Sequence, residues 1–493
     1  MLKDWIPGGG GRFHPRTGNV AAPPLWPAPQ AGDIMRSMPP PHGTLHVIGP
    51  CKLIRTPRSA RQTGTLRQLF LAGLAVATSA AAAWPQEWTR FRGPNGSGLA
   101  QAPSVPTSWT EKDYRWKVEL PGTGISQPVL WGDKIFVLSA ADDGTGRFFE
   151  CRRAKDGSAE WTQKYPLKAH PKHDRNTFAT STPVVDADRV YLILTAPEAS
   201  SVSALDHSGK TVWTRELGAH VSRHAGGASP ILHDDLVIVT NEIDEHSFLA
   251  AFDRKSGAER WRTERKSAAA AYGTPCVAVD AGGKAELVFS SNAHGVYGVD
   301  PKSGSVRWEA MLFEMRTVSS PVIAGGLVLA TCGSGAGGNY VVAVRTGGQG
   351  DVTASHLAYK LTRSMPYVPT VLARDGLVFL WSDKGVVTCV EAANGNIVWQ
   401  ERVGGSYSGS PVCIGDRIYC MSEEGDVAVV AASKEYKLLA RNSMGEGSRS
   451  TPAVAGGRLY LRTYRTLICL GGELGAERSD KAPAGSAGAA GSK

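Results

Sequence analysis

The stretch FLAAFDRKSGAERW, residues 248–261, reads as a strand, a tight turn and a second strand. Asp253 and Ser256–Gly257 make the turn. Trp261 follows four residues after that glycine. The arrangement returns as LDHSGKTVW (205–213), VDPKSGSVRW (299–308), VEAANGNIVW (390–399) and, worn, AKDGSAEW (154–161). Gly157, Gly209, Gly304 and Gly395 keep the same offset to Trp161, Trp213, Trp308 and Trp399.

A second signal precedes each turn: a proline, usually after a small polar residue, that opens an apolar run. These prolines are residues 128, 183, 230, 275, 321, 369, 411 and 452, spaced by 55, 47, 45, 46, 48, 42 and 41 residues. Eight copies at such a period mean a propeller, a solenoid or an array. Each copy holds period-two runs such as RVYLIL (189–194) and LVIVT (236–240), with turn residues every eight to twelve positions and no room for a long helix. Four strands per unit is a propeller blade. The last copy, residues 450–472, supplies three strands, and YRWKVELPG (114–122) offers a fourth. The fold class is therefore all-β: an eight-bladed propeller of four-stranded antiparallel blades, closed by an N-terminal strand that completes the last blade and removes open edges.

The chain has 493 residues, 57 of them glycine, and a formal net charge of +9. Residues 1–83 hold nine Lys/Arg and two Asp/Glu, which leaves 45 against 43 in the rest. A near-neutral folded part gives nucleic-acid binding little electrostatic support. Residues 1–54 are rich in Pro, Gly and Arg and read as a disordered or mis-started extension. Residues 55–83 read as a secretory signal peptide: Arg55, Arg58, Arg61 and Arg67, then LFLAGLAVATSAAAA with Ala81–Ala83 at the cut. Its distance from Met1 suggests a misassigned start. The expectation is export, with a mature propeller over 84–472, no lipoprotein cysteine, no transmembrane segment and a monomeric state. Residues 473–493 form an Ala/Gly/Ser tail expected to be disordered. Seven cysteines follow residue 83 (151, 276, 332, 389, 413, 420 and 469); they read as small buried hydrophobes, without CxxC or CxxCH spacing.

At its DxxSGxxxW turns the chain resembles the PQQ-like β-propeller superfamily, which includes quinoprotein dehydrogenases and the BamB-type outer-membrane assembly factor. It is closer to a bacterial envelope subgroup, through WTRFRGPNGSG (88–98), GGQGDVT (347–353) and GGSYSGSPV (404–412). The resemblance implies that Trp116, Trp161, Trp213, Trp261, Trp308 and Trp399 pack between blades against the glycine turns. Such a ring in a repeated gap contributes burial on the order of 1.5–3 kcal/mol. Blade 5 places Tyr359 near the tryptophan position, and blade 7 has no aromatic there.

Propellers hold ligands in a funnel near the starts of the innermost strands. The candidates there are His173 and Arg175 before blade 2, Arg223 and His224 before blade 3, Arg316 before blade 5, Arg363 and Tyr367 before blade 6, Tyr407 before blade 7 and Arg449 before blade 8. Arginines converging from several blades suit an anionic ligand, a quinone carboxylate or an acidic peptide segment. Asp174 and Glu314 are the few carboxylates near the strand starts, too sparse for a Ca²⁺ site, and the family's adjacent-cysteine pair is missing. No catalytic or metal residue is assigned. The sequence favours a non-catalytic binding or assembly scaffold of the cell envelope with a protein partner and no cofactor. The alternative is a PQQ-dependent oxidoreductase acting on alcohols or sugars with Ca²⁺.

Overall fold

A computed structural model of the chain describes residues 87–222, 226–279 and 282–472. The expectations for residues 1–83, for the tail after 472, and for Arg223 and His224 lie outside these residues.

Eight sheets form an eight-bladed β-propeller ring. Blade 1 runs from Val129–Trp131 to Ala159–Pro166, and blade 7 from Val412–Ile414 to Leu438–Ser443. The strands of each blade run from the first, near the axis, to the fourth at the rim, and in blade 7 Leu99–Ala100 pairs parallel along the inner edge of the first strand. Blade 8 takes its outer strand from upstream: Trp116–Glu119 pairs antiparallel with Thr466–Gly471. Blade 4 gains a fifth strand, Gly350–Asp351, parallel to its outer edge at Trp308 and Glu309.

The recurring turn has a compact physical basis. Asp253 accepts hydrogen bonds from the Ser256 amide (2.8 Å), the Lys255 amide (3.1 Å) and the Ser256 hydroxyl (2.9 Å). A β-bulge then opposes Ala251 to Trp261 and Phe252 to Glu259, and an equivalent bulge precedes Trp213 and Trp399. Gly257 has φ +70°, and a Cβ there would lie 2.5 Å from the ring of Trp213 in the preceding blade. Both the conformation and the space demand glycine. The same tryptophan donates its indole N–H to Arg254 O at 3.1 Å. Trp116, Trp161, Trp261 and Trp399 donate likewise to Ala154, His207, Pro301 and Ser433 of the next blade, and Tyr359 donates its hydroxyl to Ala392 at 2.9 Å.

Two blades differ. Trp308 is fully buried, but its indole donates to Glu286 of its own blade at 2.9 Å, because the segment leading to Gly350–Asp351 occupies the place of the next blade's tight turn. In blade 7 the missing aromatic is supplied from upstream. Trp109 stacks on Tyr419 with centroids 6.3 Å apart, the counterpart of Trp399 on Phe379 at 6.0 Å. Asn442 Oδ1 accepts the Trp109 amide at 2.9 Å and holds it there.

The small polar residue at the head of each inner strand bonds around the axis. The hydroxyl of Thr182 accepts the Gln127 amide (3.0 Å), Ser229 that of Thr182 (2.9 Å) and Ser320 that of Thr274 (2.9 Å). Thr370, Ser410 and Thr451 continue the series from Ser320, Thr370 and Ser410 at 3.1, 3.0 and 3.0 Å. The seven cysteines are buried free thiols, and Cys413 stands opposite Ile418 across its hairpin.

Trp213→Ala should cost about 3–5 kcal/mol of stability through loss of a large buried ring, and Gly257→Ala should destabilise through strain on the other side of the same contact. Combining them should cost less than the sum, because both remove one interaction; denaturant melts of the four proteins test this.

Candidate functional site

The N-terminal segment determines the shape of the site. Residues 88–98 enter the central channel and bond to inner strands on several sides. Trp88 exchanges two 3.0 Å hydrogen bonds with Leu130, Thr89 O accepts the Val185 amide (2.8 Å), and the Asn95 side chain exchanges two 2.8 Å bonds with Val277. Gly98 O accepts the Cys413 amide at 2.7 Å. Arg92 is wholly buried, and its guanidinium donates to the carbonyls of Gly96, Ser97, Thr370 and Val371 at 3.2, 3.2, 3.1 and 3.0 Å. Burial pushes it down to about 9, so it stays cationic at neutral pH. Main-chain dipoles replace its lost hydration. Gly98, at φ +71°, makes room: a Cβ would lie 2.5 Å from the Arg92 guanidinium.

Above this plug lies a cavity of about 780 Å³, with Phe91 among its lining residues. Two kinds of loop reach it: those entering each inner strand, and the hairpins joining second to third strands. His173, Arg175, Arg316, Tyr367 and Arg449 all line it. Arg363 is exposed and outside the lining. Tyr407 is buried edge-on to Trp381 at 5.3 Å and is also outside it.

The hairpins contribute groups that the sequence reading missed. Asp383, in Ser382–Gly385 of blade 6, lines the cavity. Its two oxygens accept the amides of Tyr367 (2.7 Å) and Val368 (3.1 Å). Burial raises its carboxyl above the ordinary range, with those amides opposing. Glu423 holds the corresponding place in Ser422–Gly425 of blade 7. It accepts Ser408 Oγ at 2.6 Å, Arg175 Nη2 at 3.2 and 3.1 Å, and Arg449 Nη2 at 3.0 Å. Burial opposes its charge, but Ser408 and the two guanidinia outweigh it and hold the carboxyl below its usual range. Tyr272 also lines the funnel; burial raises its phenol to about 12, with Ser222 and nearby Arg316 opposing. The signal that could have found both carboxylates is the repeated Ser-Asp/Glu-x-Gly hairpin at 382–385 and 422–425.

An eight-bladed ring of Trp-docked blades around one axial funnel defines a propeller of the PQQ-like superfamily. The chain belongs to the family whose model is described as outer membrane protein assembly factor BamB, matched over residues 108–220, 168–401 and 361–436. An outer membrane protein assembly factor BamB from Moranella endobia (strain PCIT) is 24% identical over 272 residues, 51% of this chain and 66% of that relative's length. The structure of BamB from Moraxella catarrhalis superposes with TM-score 0.52 at 16% identity, covering 73% of this chain and 98% of that one. A europium-containing methanol dehydrogenase superposes with TM-score 0.58 at 11% identity, covering 76% and 89%. These structural likenesses concern the fold alone.

Because the Glu423 carboxyl is depressed in the folded chain, its contribution to stability is complete above its unfolded value of about 4.3 and is lost as pH falls through the lower folded value. Glu423→Gln should therefore lower the melting temperature at pH 7, and the gap to the parent should close below about pH 4. The half-exposed Arg175 is screened by solvent, so the effect at pH 7 is at most about 1 kcal/mol. A gap independent of pH would contradict a charged role.

Proposed function

We propose that this protein is an exported, non-catalytic binding propeller of the cell envelope that receives a segment of a protein partner at its funnel. The observation that carries the reading is the state of two carboxylates: Asp383, which lines the funnel, and Glu423, which bonds to three of its lining residues. Asp383 is committed to main-chain amides and Glu423 to Arg175, Arg449 and Ser408. What faces the cavity is recognition chemistry: guanidinia, hydroxyls and the rings of Phe91, Tyr272 and Tyr367. Rigid rings with loops on one face are a common platform for protein contacts. The description of the relatives as outer membrane protein assembly factors supports an envelope location and a protein partner. Among the described residues no helix is long and apolar enough to cross a membrane.

Pyrroloquinoline quinone with Ca²⁺ fits this donor set poorly. Ca²⁺ seeks roughly six to eight oxygens, and Asp383, the carboxylate among the lining residues, is already bonded to two main-chain amides. No catalytic step is derived through that cofactor.

A photo-crosslinking residue at Ser334, which lines the funnel, should yield a covalent adduct of one discrete mass in the native host. The same residue at Asn394, in an outer hairpin between third and fourth strands, should not. Equal adducts from both sites, or none from Ser334, would count against the funnel as the docking face.

A further inference from the structure

Glu423 and Asp383 occupy the same hairpin position in neighbouring blades, yet they behave differently. Asp383 folds back onto the entry loop of its own blade. Glu423 reaches outward and is gripped from separate parts of the ring. Arg175 comes from the loop between blades 1 and 2, 248 residues away in sequence, and Arg449 from the entry to blade 8. Ser408, from the entry to blade 7, adds its hydroxyl at 2.6 Å. The Asp174 carbonyl accepts Arg449 Nη1 at 3.4 Å, which ties the same loop to blade 8. Two guanidinia and a hydroxyl around one carboxylate form a donor set suited to recognising a ligand's carboxylate.

We propose that this cluster is a carboxylate-recognition subsite at the funnel mouth, filled by the chain's own Glu423, and that an acidic segment of the partner polypeptide displaces Glu423 on binding. The proposal rests on the binding reading above and names the chemistry of the segment. Three features favour exchange over a fixed structural pair. Arg175 is 54% exposed, and ion pairs of that kind contribute little net stability. Both arginines already line the cavity, so an incoming carboxylate reaches them without the blades separating. Arg316, Lys384 and Arg402 line it too, with Asp383 as the lining carboxylate. The funnel is therefore net positive and attracts acidic chains. Cations spread over the entries and hairpins of several blades match carboxylates spaced along a polypeptide better than those clustered on one small molecule.

The probe is a fluorescein-labelled peptide of alternating Glu and Gly, read by anisotropy at low salt against the purified chain, with an alternating Gln and Gly peptide and citrate for comparison. Glu423→Gln should bind the acidic peptide on the order of tenfold more tightly than the parent, because the internal competitor is gone. Arg175→Ala combined with Arg449→Ala should weaken it by a similar factor, and the Gln peptide should bind none of them. Arg175→Ala alone, at the exposed end of the cluster, should also weaken binding and guards against a folding defect in the double variant. Unchanged or weaker binding by Glu423→Gln, or equal binding of the Gln peptide, overturns the proposal. Citrate competing as well as the peptide would overturn the polypeptide assignment. A Ser334 adduct together with unchanged affinity in Glu423→Gln would sink this subsite and leave the binding reading standing.

Discussion

Each blade of this ring presents two apolar faces, and a four-stranded sheet cannot cover either of them itself. The structure depends on how neighbouring blades close that gap. Toward the rim, an aromatic ring from one blade lies under the glycine turn of the next and gives its polar hydrogen to a carbonyl there. At the axis, a hydroxyl from the next blade accepts an amide that the inner strand would otherwise leave without a partner. Burial provides the larger energy and the hydrogen bonds set the angle and register. The two devices sit at opposite edges of the same interface, so neighbouring blades have little freedom to rock.

The upstream segment extends this logic to the ring as a whole. Residues 88–98 bond to inner strands of blades 1, 2, 4, 6 and 7. Trp109 then fills the rim gap at blade 7, and Trp116–Glu119 forms the outer strand of blade 8. A buried cation without a carboxylate partner is costly, yet Arg92 is held where carbonyls from its own segment and from blade 6 converge. This arrangement places Phe91 of the upstream segment in the wall of the funnel. The shape of the site is thus a consequence of how the ring is tied together.

The repeat was legible because each turn carries its own physical reason: an aspartate to cap amides, a glycine for space and φ, a tryptophan for the gap. The exceptions were harder to read. Trp308 keeps the motif spacing, but the residues before Gly350–Asp351 redirect its partner to Glu286. Trp109 lies just before the strand that completes blade 8 and reaches Tyr419 of blade 7 only through folding. Within the site, His173, Arg175, Arg316, Tyr367 and Arg449 were found because the entry loops converge at the mouth. Tyr407 occupies a similar place in sequence, but it turns against Trp381 and is buried. Asp383 and Glu423 were missed because Ser-Asp/Glu-x-Gly reads as ordinary turn chemistry, and the pairing across the ring has no sequence signature.

The same geometry separates two kinds of propeller. Asp383 is bonded to main-chain amides and Glu423 to two guanidinia, and the proposed binding role and a redox role differ in what the funnel should do with a quinone. The most direct measurement is dye-linked oxidation of alcohols and sugars by the purified chain with excess pyrroloquinoline quinone and Ca²⁺. No turnover above the protein-free rate is expected, whatever quinone adheres to the basic funnel. Saturable turnover that requires both quinone and protein would contradict the binding role.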